Sequence, residues 1–193
     1  MMMTAQKDND IRQIKALLKT VFGENYREKS SYALRRGVDP VKGLSFVFRH
    51  DGDVLGTIGF WPAYLQDLEK GHLQKILFLG PLAVSPLLQG QGIGASLLRK
   101  GLSAARFQGH QRVMLVGEPR YYAKVGFKQT LPNSITMPNG QDADRMMVMD
   151  LWQKATVMPN LPKLGTLVPY APLMRAGDMA MRVPDRPFNH LAG

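Results

Sequence analysis

Gln89-Gly90-Gln91-Gly92-Ile93-Gly94 places three glycines on alternate positions between an apolar run and a helical pattern. With no Cβ atoms in the way, backbone N–H groups can converge on one point at a helix start, where the helix dipole also favours negative charge. The chemistry that suits such a turn is phosphate binding. Three readings compete. A dinucleotide fold needs Gly-x-Gly-x-x-Gly close to the first strand and an acidic residue closing the next one; here the glycines are spaced differently and follow three strand-like runs. A triphosphate loop needs Gly-Lys-Ser/Thr, which is absent. The third reading is a turn that binds nothing, because a lone glycine motif is a weak signal.

Other reactive side chains are sparse. With no cysteine in the chain, disulfides, thiolate zinc sites and a cysteine nucleophile are excluded. His50, His72, His110 and His190 have neither metal-ligand spacing nor a triad partner, so no metal site is expected. Lys plus Arg number 25 against 15 Asp plus Glu, a formal charge of +10. That excess suits a nucleic-acid backbone, an anionic membrane surface or a polyanionic nucleotide cofactor. The basic residues are interspersed with acidic ones, as in KDNDIRQIK and NYREKS, so a solvated basic surface is favoured over a nucleic-acid footprint.

The elements around the glycine turn follow from periodicity. The 193 residues suit one domain with an appendage, and 45% hydrophobic content suffices for a proper core. Ile11, Ile14, Leu17, Leu18, Val21 and Phe22 form the stripe of an amphipathic helix with Asp10 as N-cap, and a weaker helix is expected over 26–36. Runs 44–49 and 53–65 read as a hairpin turning at His50-Asp51-Gly52. Run 73–85 is a central strand, and the segment after the glycines carries Ile93, Leu97, Leu98, Leu102 and Ala105 at helical spacing. The strand at 112–117 follows through that helix and should lie parallel to the central one. EPRYYAKV reads as a short helix, with further strands at GFKQT and 145–151. The region from 153 to 193 is rich in proline and weak in periodicity, and is expected to be an irregular extension packed on domain 1–152 or partly mobile.

The run LGPLAVSPLLQGQGIGASLLRKGL, followed by VMLVGEPRYYAKVGF, resembles the GNAT superfamily of acetyl-CoA-dependent N-acetyltransferases. Gln89, Gly92 and Gly94 match that family's Gln/Arg-x-x-Gly-x-Gly/Ala element, and Tyr122, Gly126 and Phe127 match its Tyr-x-x-x-Gly-Phe element. The strong resemblance covers about residues 75 to 130. The family's opening strand has no evident counterpart, since only MMMTAQKDN precedes the first helix.

The resemblance implies an α/β fold: a mixed, mostly antiparallel sheet with one splayed parallel pair and helices on both faces. It implies acetyl-CoA as cosubstrate, its pantetheine arm on the backbone of Leu82, Ala83 and Val84. The amides of Gln89, Gly90, Gln91, Gly92, Ile93 and Gly94 would hold the pyrophosphate. It assigns protonation of the leaving thiolate to Tyr122, whose phenol has an ordinary pKa of about 10, with Tyr121 as fallback. Glu118 is the candidate base for the incoming amine, although a carboxylate there also suits a helix N-terminus. Arg99 and Lys100 lie near further phosphate or are solvated.

The implied activity is direct acetyl transfer to a primary amine, on a small molecule or a protein. The rivals are a non-catalytic acyl-CoA sensor or scaffold, and a basic nucleic-acid-associated protein. No membrane span or secretory leader is expected, a cytoplasmic location is compatible, and a homodimer stays open.

Overall fold

The computed structural model describes residues 2–152 and 160–170. Strand β1 (Met2–Ala5) leads into helix α1 (Ile11–Phe22), and a short helix α2 (Ser30–Ala33) follows. Strands β2 (Phe46–His50), β3 (Asp53–Asp67) and β4 (Leu73–Val84) form an antiparallel meander. Then come helix α3 (Ile93–Phe107), strand β5 (Arg112–Val116) and helix α4 (Pro119–Ala123). Strands β6 (Lys128–Gln129), β7 (Ile135–Thr136), β8 (Met146–Asp150) and β9 (Gly165–Pro169) complete a sheet of order β1-β2-β3-β4-β5-β8-β6. Strand β9 pairs with both β3 and β7.

Alternation along the strands sends side chains to two faces. Phe46 and Phe48 of β2, with Ile58 and Phe60 of β3, pack under α3 against Leu97, Leu98 and Ala105. Val47, between those two phenylalanines, packs instead with Ile14, Leu17 and Leu18 of α1. Helices therefore cover both faces, as expected. A third cluster, including Leu65, Phe78, Met114, Met146 and Leu167, fills the remaining part of the face away from α3.

Three expectations need correction. Strand β1 exists and pairs with β2 from Met2↔Arg49 to Ala5↔Phe46. It is an edge strand with no buried residue, so its sequence carries no core alternation to reveal it. Asp10 stands at the start of α1 without capping its N–H groups. Its carboxylate, 2% exposed, accepts from the Lys7 backbone N–H and pairs with Arg49. The helix expected over 26–36 shrinks to a 3-10 turn at Tyr26–Glu28 and the four residues of α2.

The region beyond 152, expected to be irregular, supplies β9, which pairs with Ala63–Asp67 of β3 and buries Leu167. A strand clamped between two neighbours draws its stability from tertiary contacts that local periodicity does not show. Residues 153–159 and 171–193 of that extension lie outside the described residues. Among the described residues no helix is long and apolar enough to cross a membrane.

Candidate active site

Strands β4 and β5 form the expected parallel pair, beside a two-residue parallel pairing of β7 with β9, but the β4–β5 pairing ends almost as soon as it begins. Leu77 faces Val113 and Phe78 faces Met114; beyond these, β4 continues to Val84 on β3 alone, while β5 continues to Val116 on β8. The two strands part as a V. Its closed end is pinned by Arg112, whose Nε and Nη2 reach the Asp150 carboxylate at 2.6 and 3.2 Å while Nη1 donates to Gln74 Oε1. A bulge lies just beyond the fork: Ile58 faces Leu82 and Phe60 faces Leu79, so Gly80 and Pro81 together oppose Gly59. A Gly-Pro pair inside a strand is the sequence mark of such a break.

A cleft of about 1070 Å³ fills the V. One wall is the stretch Leu79–Val84, another the turn before α3, and the far side is Val116, Gly117 and Glu118 with Tyr121 and Tyr122 of α4. Of the nine residues expected to meet a cofactor, eight line it: Leu82, Ala83, Val84, Gln89, Gly90, Gly92, Ile93 and Gly94. Gln91 does not. Gly90 and Gly92 hold φ of 81° and 77°, a left-handed geometry that an ordinary side chain strains to adopt. Gly92 occupies the N-cap of α3 with no side chain covering the helix's first N–H groups. The Gln89 side-chain amide donates to Val84 O at 3.2 Å, fastening the turn to the end of β4.

Tyr122 stands at the side of the cleft with its ring edge-on to Phe127, centroids 5.8 Å apart, and to Tyr121 at 5.0 Å. Burial, reinforced by Tyr121 and opposed by Arg145, pushes its phenol well above the ordinary tyrosine value, so it carries its proton at neutral pH. Tyr121 reaches across to α3: a Cβ added to Gly94 would lie 2.6 Å from its hydroxyl. Burial raises its phenol too, with Arg99 pulling the other way.

Glu118 is exposed, lines the cleft and caps α4, accepting from the Arg120 backbone N–H at 3.4 Å. Arg99 donates to Ser96 Oγ and the Lys100 ammonium covers the Phe46 ring at 5.3 Å; neither lines the cleft. Some lining residues lay beyond sequence reasoning because they come from distant loops. Glu28 and Lys29 arrive from the α1–α2 connection, Ser30 from the start of α2, and Gln141, Asp142 and Arg145 from the segment before β8. A bond from Ser30 Oγ to the Asp142 carboxylate joins the start of α2 to that segment.

Comparison with known proteins bears on this geometry. Residues 11–127 match the model of the acetyltransferase (GNAT) family. YjhQ of Escherichia coli, named an uncharacterised N-acetyltransferase, is 32% identical over 120 residues, covering 62% of this chain and 64% of its own length. The chain thus matches less than two thirds of that relative. The crystal structure of the E. coli GNAT family N-acetyltransferase YhbS in complex with CoA superposes with a TM-score of 0.67 at 25% identity, over 86% of this chain and 88% of that one. A Brucella melitensis GNAT family acetyltransferase in complex with acetyl-CoA gives 0.61 at 27% identity, over 89% and 97%. The splayed strands, the glycine turn and the family match converge: this chain belongs to the GNAT acetyltransferase family.

Proposed function

We propose that the protein moves the acetyl group of acetyl-CoA to a primary amine by direct attack. The observation that carries this reading is the V between β4 and β5, with a left-handed glycine turn on one side and a protonated phenol, Tyr122, on the other. Acetyl-CoA, when bound, supplies an acyl group activated as a thioester.

The chain's own parts divide the remaining work. Backbone amides of the turn at the α3 N-terminus bind diphosphate oxygens. The free edge of β4 from Leu82 to Val84 offers backbone groups to an amide-rich arm, as a sheet edge does to an added strand. A β4 N–H near the bulge stabilises the oxyanion that forms as the amine nitrogen bonds to the carbonyl carbon. When the carbon–sulfur bond breaks, Tyr122 passes its proton to the sulfur, and Glu118, directly or through water, takes the proton the amine loses. Proton return from Glu118 to Tyr122 through solvent restores both groups. A direct route suits a chain without a cysteine to carry the acyl group.

The same reading places the protein in the cytoplasm, with its cosubstrate. Incubation with acetyl-CoA and a panel of primary amines tests it. Amine-dependent release of free CoA is expected, with a gain of about 42 Da on the amine by mass spectrometry as an acetyl group replaces a hydrogen. CoA binding without release in the presence of any amine would leave only a binding protein.

A further inference from the structure

A second cavity, of about 460 Å³, opens on the face of the sheet covered by α1 and α2. Pro81 lines both this cavity and the cofactor cleft. Its charged lining is of one sign: Lys15, Arg27, Arg35 and Arg36, with no aspartate or glutamate. None of these four cations is ion-paired among the described residues.

Arg35 stands at the centre of the arrangement. Its guanidinium lies 3.8 Å from the Tyr32 ring centroid and 5.1 Å from that of Trp61. Its Nη1 donates to Gly80 O in the bulge at 3.2 Å, and Nε donates to Ser31 O. Burial draws its pKa down to about 10, so it remains charged at neutral pH. Trp61 is fixed in turn by donating to Val38 O. Tyr26 packs edge-on against Tyr32 at 5.4 Å and carries Arg27 over its ring. Aromatic faces thus hold cations in place while no carboxylate among the described residues neutralises them.

We infer that this cavity seats the acceptor, and that the acceptor is a small amine bearing an anionic group, a carboxylate or a phosphate, anchored by Arg35. The inference rests on the acetyl-transfer reading of the adjoining cleft. Arg35 Nη2 also donates to Ser31 Oγ, so the three nitrogens meet only neutral acceptors, and an anion would supply the charged partner that the partly desolvated guanidinium lacks among the described residues. The amine would then point toward Pro81, the residue that borders both cavities. The cationic wall disfavours polycationic acceptors and favours the neutral, nucleophilic form of an amine held beside it. Because Arg35 also holds Gly80 O, an anchored acceptor is in touch with the strand break at which the acetyl group would lie.

Trp61 provides a readout separate from turnover. The chain has two tryptophans, so in a full-length Trp152→Phe protein Trp61 is the remaining indole. With CoA present, the emission is titrated with matched amines: phenylalanine against phenethylamine, and phosphoethanolamine against ethanolamine. The anionic member of a pair is expected to bind about 10- to 100-fold more tightly, and the pair with the larger ratio tells carboxylate from phosphate. Arg35→Gln should erase the ratio and Arg35→Lys restore part of it. If Arg35→Gln fails to fold, Arg27→Gln, at an exposed position, should reduce the ratio. Equal responses, no response, or a preference for putrescine would overturn the inference. Free-CoA release by the same mixtures separates the two readings. Anion selectivity without turnover removes acetyl transfer and keeps the anion site, and turnover without anion selectivity does the reverse.

Discussion

The Tyr122 ring occupies the space that a side chain on Gly117 would need: a Cβ there would overlap the ring edge, with Cδ2 at 2.7 Å. Gly117 directly follows the diverging end of β5, and its N–H donates to Arg145 O at 3.1 Å, so its backbone has little freedom to retreat. The phenol is therefore seated by a glycine as well as by Phe127.

From that relationship, Gly117→Ala should displace the Tyr122 ring. Overpacking of this kind costs about 1–3 kcal/mol, and turnover should fall at least about tenfold because a misplaced proton donor loses its alignment. Thermal unfolding and steady-state kinetics on the same preparation check both parts. Unchanged kcat would mean that the position of the ring is not critical.

At the glycine turn, conformation and space can be separated. Nothing lies within 4 Å of a Cβ placed on Gly92, so its role among protein atoms is its φ of 77°. Gly92→Asn tolerates that geometry better than Gly92→Ala, which should lose about 1–2 kcal/mol of stability. Gly92→Asp adds negative charge where phosphate is expected and should weaken CoA binding by more than about tenfold. Calorimetric titration with CoA ranks the three; undiminished binding by the aspartate variant would remove the diphosphate from this turn.

The raised phenol of Tyr122 has a pH consequence. Burial disfavours the phenolate, so the folded protein keeps this proton above the ordinary tyrosine range of about 10, and the unfolded chain loses it first. Stability from this group is complete below about pH 10 and declines as pH rises further. Tyrosinate absorbance of wild type minus Tyr122→Phe should show ionisation displaced to higher pH. Ionisation at the ordinary value would place Tyr122 in solvent.

At the other end of the scale stands Asp10. Burial alone would raise its carboxyl, but the Lys7 N–H and Arg49 outweigh that and hold it below the usual value. Its stabilisation is present above the unfolded pKa of about 4 and is lost as pH falls through the lower folded value. Asp10→Asn leaves Arg49 without its charge partner and should cost about 2–3 kcal/mol near neutral pH, shrinking in acid. Denaturant titrations at two pH values measure it; a pH-independent loss would deny the ionic origin.

Much of the cofactor side was readable because it is local. The apolar run of β4, the turn glycines and the stripe on α3 follow one another in sequence, so periodicity and backbone chemistry place them directly. The GNAT resemblance rests on the same stretch. What escaped depends on distant partners. Met2–Ala5 and Gly165–Pro169 are strands only because β2, and β3 with β7, offer them edges. Among the aromatics of β3, Phe60 is buried under α3, Tyr64 stacks on Tyr170, and Trp61 lines a cavity. Alternation can assign Trp61 a face but cannot bring Arg35 to it. That encounter requires α2 to fold over the bulge.

The Tyr122→Phe variant tests the account most directly, assayed for amine-dependent CoA release alongside its affinity for CoA. The account predicts a fall in kcat of about 100-fold or more, with CoA affinity changed by less than about twofold, because the hydroxyl acts as the thiolate leaves. A variant that turns over as fast as wild type would contradict the assignment of the phenol as the acid.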